Sequence, residues 1–471
     1  MGNLRFSLRF GTSERMDEHD QTIAELKRQI AALLQRIQQL EDEVARLKKN
    51  SGNSSKPPSS DIVKPPKEAQ GRGAKRNPGA QPGHSKCTRQ PFEPDQVNEV
   101  MEYELNDSDA RGWEPLDCWS VIQQVTLPPQ RYVVTEHRAR HYRNPITGTI
   151  RIAPFPDEVR KGGLLGADIT ALIAFFKGAG HLSYTTIQQV FDQMLHLPLS
   201  RGLLSKAVQK VSAALAPATD QLVRQLPKEE TLGIDETGHH DNGDLHWTWC
   251  FTAPRYSVFK IDKSRGSGVL EAVLGTDFAG LIEADYWGAY RKYARLFGVR
   301  MQYCLAHLIR EIRFLTEQKN RSLSRWAQTL LAGLRKLFVT LHRRDTMTAK
   351  GWRRSMEKIR DAFVRRVRRA PDHAMARKLA KRFAGTAARD YFRFIEEPQV
   401  EPTNNGTERQ IRPVVIDRRI TQGTRGQAGM RWCERIWSIL ATCHKQKRNV
   451  LDFIHQSIQA HWTRKPHPRL L

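Results

Sequence analysis

Apolar residues recur at three- and four-residue steps near the start of the chain: Ile23, Leu26, Ile30, Leu33, Ile37, Leu40, Val44 and Leu47. Written as heptads, β-branched residues fill every a position and leucine every d, the combination that favours a parallel two-stranded coiled coil over residues 16–50. Arg36 at g would face Glu41 of the partner helix at e, and Glu43 would face Lys48 of the partner helix, both attractive. A single amphipathic helix lying on its own core normally carries a wider apolar stripe, and here only Leu34 widens it. Met16, directly before this pattern, is a second possible translation start.

The period then disappears. SGNSSKPPSSD and the basic, glycine-rich stretch that follows cannot bury a core, so residues 51–96 read as a linker. Short alternating runs in 97–160, such as VIQQVTLP and RYVVTEHRARHYR, predict a small β-rich module. Helical spacing returns over 161–230, where YTTIQQVFDQML, the turn HLPLS and RGLLSKAVQKVSAALA outline a helix-turn-helix with Ser200 as N-cap. From TLGID onward the pattern is α/β: HWTWCFTAP and YSVFKID complete three strands, the DNGD turn closes the first hairpin, and FAGLIEAD and VRMQYCLA are further strands between helices. A strand-free basic stretch at about 316–395 reads as a helical insertion within a domain spanning 231–450. Residues 451–471 are taken as a C-terminal tail.

Charge changes the picture more than composition does. The chain has 471 residues, 39% hydrophobic and 27% charged, as expected of a globular protein. Lys and Arg number 76 against 50 Asp and Glu, a formal net charge of +26. Such an excess repels itself unless a polyanion neutralises it, which makes nucleic acid the leading partner. No apolar run reaches membrane-spanning length; the best, Leu164 to Leu182, is broken by Asp168 and Lys177. The six cysteines lack CxxC pairing and fit reduced thiols in the cytoplasm.

Three carboxylates stand out in the α/β block. Asp235 and Asp285 are each expected to close a strand, where side chains can converge without disrupting a core. Glu408 falls in the first turn of a late helix. Carboxylates from separate segments could hold the two divalent ions that phosphodiester chemistry uses. The pattern alone leaves alternatives: Glu236 adjoins Asp235, Glu283 shares a strand face with Asp285, and Asn405 with Glu408 has the spacing of a capping box.

The ordered set NSSKPPSSD, GAQPGH, GHLSYTTIQQVF, LPLSRGLLS, DETG, ADYWGAY, CLAH and TNNGTERQIRPVVIDRR resembles transposases of the insertion sequence 66 family, TnpC type, over nearly the whole chain. The resemblance implies a ribonuclease-H-like core with an Asp-Asp-Glu triad at Asp235, Asp285 and Glu408. It also implies two Mg2+ or Mn2+ ions, and as partners the element's terminal inverted repeats and target DNA, with accessory proteins encoded by the element as further candidates. Arg409, Arg412, Arg418 and Arg419 are the candidate phosphate contacts, although Arg412 could pair with Glu408 at i,i+4. Cys304 and His307 match a CxxH read as structural or as a contact near the site. Relatives carry two CxxC pairs in the β-rich module; this chain keeps only Cys118 there, so no zinc is expected. The rival readings are a silent DNA-binding descendant and a nuclease without strand transfer.

The helical seam yields a direct test. Replacing Ile30→Asp together with Leu33→Asp should lower the mass measured by light scattering, because both charges fall in the seam. An unchanged mass would sink the coiled-coil reading.

Overall fold

A computed structural model describes residues 13–47, 91–103, 109, 111, 120–125 and 131–471. Cys87, Cys118, most of the linker and the side chains of Glu41 and Lys48 lie outside the described residues. The chain divides into two compact units, one containing 154–192 and 198–471, the other 66–153 and 193–197. Among the described residues no helix is long and apolar enough to cross a membrane.

Helix α1, Ser13–Leu47, covers the heptad segment. Its seam residues from Ile23 to Val44 are exposed, from 44% at Ile23 to 62% at Leu33. In the smaller unit the described residues form one short hairpin, β1 (His141–Arg143) with β2 (Ile150–Ile152). The expected strand in VIQQVTLP is not formed at 121–125, and RYVVTEHRARHYR is a strand only at its end. Val121, Ile122, Val133 and Val134 are each at least three-quarters exposed. Alternation without a layer to cover it does not make a sheet.

The larger unit opens with helices α2 (Asp157–Gly162), α3 (Ala167–Gly178), α4 (Tyr184–Leu195) and α5 (Arg201–Gln225). Ser200 caps α5, its hydroxyl accepting from Leu203 N at 3.2 Å. Helix α5 buries Leu204, Val208, Val211, Leu215 and Leu222, a stripe at helical period that belongs to the core. Apart from residues 193–197, the helical region falls in the same compact unit as the sheet.

Strands β3 (Thr231–Asp241), β4 (Asp244–Thr252) and β5 (Ser257–Asp262) form a meander. Its first turn needs positive φ at both central residues, and Asn242 at 52° with Gly243 at 92° supply it. Helix α6 (Ser267–Leu274) leads to β6 (Leu281–Ala284), then α7 (Gly288–Phe297) to β7 (Arg300–Tyr303). The sheet order is β5-β4-β3-β6-β7, antiparallel on the meander side and parallel on the other. This five-stranded mixed sheet is consistent with a ribonuclease-H-like core.

Helices α8 (Leu305–Thr316), α9 (Arg321–His342), α10 (Ala349–Arg368), α11 (Ala374–Arg382) and α12 (Ala387–Asp390) follow without a strand. Helices α13 (Asn405–Thr421), α14 (Gln427–Gln446) and α15 (Val450–Thr463) end the chain. Residues 451–471 are thus not a simple tail, because α15 buries Phe453, Ile454, Ile458 and Trp462. Helix α14 protects the open edge of β5. Glu434, Ser438 and Thr442, one turn apart, accept from the N–H groups of Ile261, Phe259 and Ser257 at 2.7, 2.9 and 3.2 Å. A bare edge would otherwise invite pairing with another chain.

Helix α13 meets the sheet closely at Gly233. A Cβ there would stand 2.2 Å from Thr407 Oγ1 and 3.3 Å from Asn404 Oδ1, so only glycine lets the start of α13 sit on β3. Gly233→Ala should therefore destabilise the protein by about 1–3 kcal/mol through overpacking. Gly268→Ala, where a Cβ meets nothing within 4 Å, should be neutral or mildly stabilising. Equal melting temperatures for the two variants would contradict this packing.

Candidate active site

The sheet brings two acids together by register. Gly233 pairs with Glu283 across the parallel β3–β6 ladder, so two residues further along Asp235 and Asp285 stand abreast. Asp285 follows the end of β6, as expected. Asp235 does not close its strand, because β3 continues to Asp241 on its pairing with β4. What ends near Asp235 is only the parallel half of the ladder, and that opens the space in front of it.

Local bonds fix both carboxylates. Asp235 Oδ1 accepts from Glu236 N at 2.9 Å, and Asp285 Oδ1 from Trp287 N at 2.9 Å. Burial, then the like charges of Glu236, Asp285 and Glu408, push the Asp235 carboxyl well above the usual carboxylate range. Burial and Glu236 push Asp285 up to about 7, against the opposing pull of Trp287 N–H and Arg265.

Glu408 reaches the same place from α13. The N-cap is Asn404, and its side chain makes no capping bond. Its Nδ2 donates instead to Ile234 O at 2.9 Å, directly before Asp235. The capping-box reading of Asn405 and Glu408 is thereby replaced: Glu408 Oε1 accepts from Arg310 Nη2 at 3.1 Å and lies 3.8 Å from His307 Nε2. Burial, reinforced by Arg310, lowers His307 to about 3, so this contact is made by a neutral imidazole. The cation beside Glu408 thus comes from α8 through Arg310, and not from Arg412 one turn along α13.

Cys304 and His307 have distinct tasks. Cys304 begins α8, and its sulfur accepts from Asn404 N at 3.1 Å, tying the starts of α8 and α13 together. His307 lies one turn further on, beside Glu408. The pair is structural at Cys304 and a site contact at His307.

The rival acids are occupied. Glu236 is buried and accepts from Arg265 Nε at 2.8 Å and from the Tyr290 hydroxyl. Glu283 accepts from Glu401 N at 2.8 Å, and burial pushes it up to about 7. Glu311 on α8 accepts from Arg382 Nη2 at 2.8 Å. Arg310, Arg265 and Arg382 were not singled out from the sequence. Arg310 alone had a local signal, being three residues after His307 and so on the same helix face.

Of the four arginines expected at phosphate, Arg418 is largely committed within the fold. It donates to Thr237 Oγ1 at 2.8 Å and to Gly238 O, clamping α13 onto β3. Arg409, Arg412 and Arg419 are exposed, and among the described residues none of the three forms an ion pair.

Oxygen donors from Asp235 and Asp285 suit a hard divalent cation, whose charge would relieve their repulsion. Among the described residues no group of three or more His, Cys, Asp or Glu could hold a metal ion as it stands. Glu408 has one carboxylate oxygen engaged by Arg310.

Comparison with known proteins covers the stretch that carries all three carboxylates. The model of the family described as "Transposase IS66 family" matches residues 162–432. A family of unknown function, DUF6444, matches residues 11–90. The uncharacterized protein y4qI of Sinorhizobium fredii is 21% identical over 392 residues, which cover 77% of this chain and 72% of that protein.

The electrostatics give a test that needs no DNA. An acid whose folded value is raised costs stability once the unfolded chain ionises, so stability falls as pH rises from about 4 toward 7. With divalent ions chelated, Asp285→Asn should melt higher than the parent at pH 8, and this advantage should shrink by pH 5. A lower melting temperature at pH 8 would show that Asp285 carries no such strain.

Proposed function

The chain belongs to the IS66 family of transposases, and we propose that it cleaves DNA at the ends of an insertion sequence and joins the freed ends to target DNA. The observation that carries this reading is the pair Asp235 and Asp285, abreast where the parallel pairing of β3 and β6 stops, with the charge of Glu408 from α13 acting on Asp235. Asp235 and Asp285 would hold Mg2+ or Mn2+, with Glu408 joining once it leaves Arg310. Bound there, the ions lower the pKa of an attacking hydroxyl and screen charge on the phosphodiester.

In the first reaction a water oxygen bonds to phosphorus and the P–O3′ bond breaks, leaving a 3′-hydroxyl. In the second that 3′-hydroxyl attacks a target phosphodiester and displaces another 3′-oxygen. The protein's own residues supply position. Trp287 N–H and Glu236 N–H orient the two aspartates, Arg310 is released near the phosphate when Glu408 moves, and neutral His307 remains able to accept or donate a hydrogen bond. Arg409, Arg412 and Arg419 line the exposed stripe of α13 and would contact flanking phosphates. The coil of α1 would pair two chains, as synapsis of two DNA ends requires.

Incubating terminal-repeat DNA and a target plasmid with Mg2+ tests this. Joined product is expected. Asp235→Asn, Asp285→Asn and Glu408→Gln should each lower cleavage on the order of a thousandfold, equivalent to about 4 kcal/mol of lost transition-state stabilisation, with DNA binding retained. Cleavage without joining would mark a nuclease. Binding with no cleavage by the parent would mark a silent DNA-binding descendant, in which the Arg310–Glu408 pair keeps the site closed.

A further inference from the structure

Beside the carboxylates stands an aromatic group that the reaction as described does not use. Trp287 lies two residues after Asp285, and its backbone N–H is bonded to Asp285 Oδ1. The residue is 41% exposed. One face of its ring is covered by Arg265, whose guanidinium carbon lies 4.1 Å from the Trp287 centroid and 4.4 Å from the Trp247 centroid. Arg265 is in turn fixed to buried Glu236 through Nε and Nη2, both at 2.8 Å. The result is a layered stack of Trp247, Arg265 and Trp287, anchored below by an ion pair and exposed above.

We propose that the outer face of Trp287 stacks an unpaired nucleobase next to the phosphodiester held at Asp235 and Asp285. The proposal rests on the transposase reading and specifies part of its substrate contact. A large indole left open to water forgoes the stabilisation that burial would give, yet here its backbone bond to Asp285 and the anchored Arg265 hold it open and in one orientation. Arg265 already occupies one face, which disfavours a second cation and leaves a surface suited to a neutral planar ring. The spacing also fits. Two residues of chain reach at most about 7 Å, and successive nucleotides of one strand rise about 3.4 Å, so the ring can meet a base flanking the reacting phosphate. Inside a duplex that base is stacked on its neighbours, and freeing it costs a few kcal/mol. Stacking on an aromatic side chain offsets part of that cost and favours a strand opened at the point of cleavage. Every base has a π-face, so the contact selects unpaired structure more than sequence.

The test uses the full chain with Ca2+, and three DNAs: a fork with one unpaired base at the junction, the same fork abasic at that position, and the fully paired duplex. The parent should bind the base-bearing fork about 5- to 150-fold more tightly than the abasic fork, the range expected of one stacking contact. Trp287→Ala and Trp287→Leu should both lose this preference while binding the paired duplex as the parent does, and Trp287→Phe should keep most of it. Leucine preserves apolar volume, so its loss of preference separates stacking from a merely structural role. A parent without preference, or a Trp287→Leu variant that retains it, overturns the proposal. So does a change in oligomeric mass on Trp287→Ala, which would assign the ring to a second copy of the chain. Cleavage is scored separately in Mg2+: a parent that cleaves without preferring the base refutes the platform alone, and one that prefers the base but never cleaves refutes the enzyme reading alone.

Discussion

Burial of Asp235 and Asp285 side by side, with the charge of Glu236 acting on both, is the constraint around which the site is organised. Parallel pairing of β3 and β6 holds the two side by side, and burial raises the cost of charging both. The surrounding acids are treated differently. Glu236 has Arg265, Glu311 has Arg382 and Glu408 has Arg310, whereas neither aspartate forms an ion pair among the described residues. Arginine is abundant in this chain, so the omission is selective. The two aspartates, and Glu283 as well, are left without a cationic partner among the described residues. On the proposed function, a hard divalent cation would bring the aspartates more charge per volume than a guanidinium can.

The same arrangement accounts for the insertion's place in the chain. Helix α8 leaves β7 through Cys304, binds the start of α13 through the cysteine sulfur, and presents His307, Arg310 and Glu311 along the site. Arg382, at the end of α11, reaches back to Glu311 and lies 4.2 Å from the Tyr286 ring, beside Asp285. The insertion is therefore tied to the rim of the site by a charged contact and is not a loose addition between the second and third acids.

Much of this was legible in the sequence, and the failures have physical causes. The β3–β4 hairpin was readable because Asn242 and Gly243 supply a turn that few other residues can. Helix α1 was readable from its heptads, and Asp285 from the apolar run that ends just before it. Asp235 was misplaced at a strand end because a strand's own pattern does not report where each of its two neighbours stops. The capping box at Asn405 and Glu408 failed because a local i,i+3 rule was outcompeted by tertiary partners, Ile234 for Asn404 and Arg310 for Glu408. Residues 451–471 read as a tail in the sequence, but the apolar face of α15 completes the layer over α3 and α5. Alternation at 121–125 and 131–134 failed for the opposite reason, since among the described residues nothing covers Val121, Ile122, Val133 or Val134.

On the proposed function, helix α13 joins chemistry to recognition in one element. Thr407, Ile411, Val414 and Asp417 form its buried face, and Gly233 sets how closely that face approaches β3. The opposite stripe carries Arg409, Arg412 and Arg419, exposed and without ion pairs among the described residues. Glu408 to Arg419 spans about 16 Å at 1.5 Å per residue, the rise of roughly five nucleotides at 3.4 Å each. On the proposed function, phosphates bound along that stripe would fix the strand's register relative to the backbone that carries Glu408. The clamp of Arg418 on Thr237 and Gly238 then has a mechanical meaning. It ties the far half of the helix to the strand that carries Asp235.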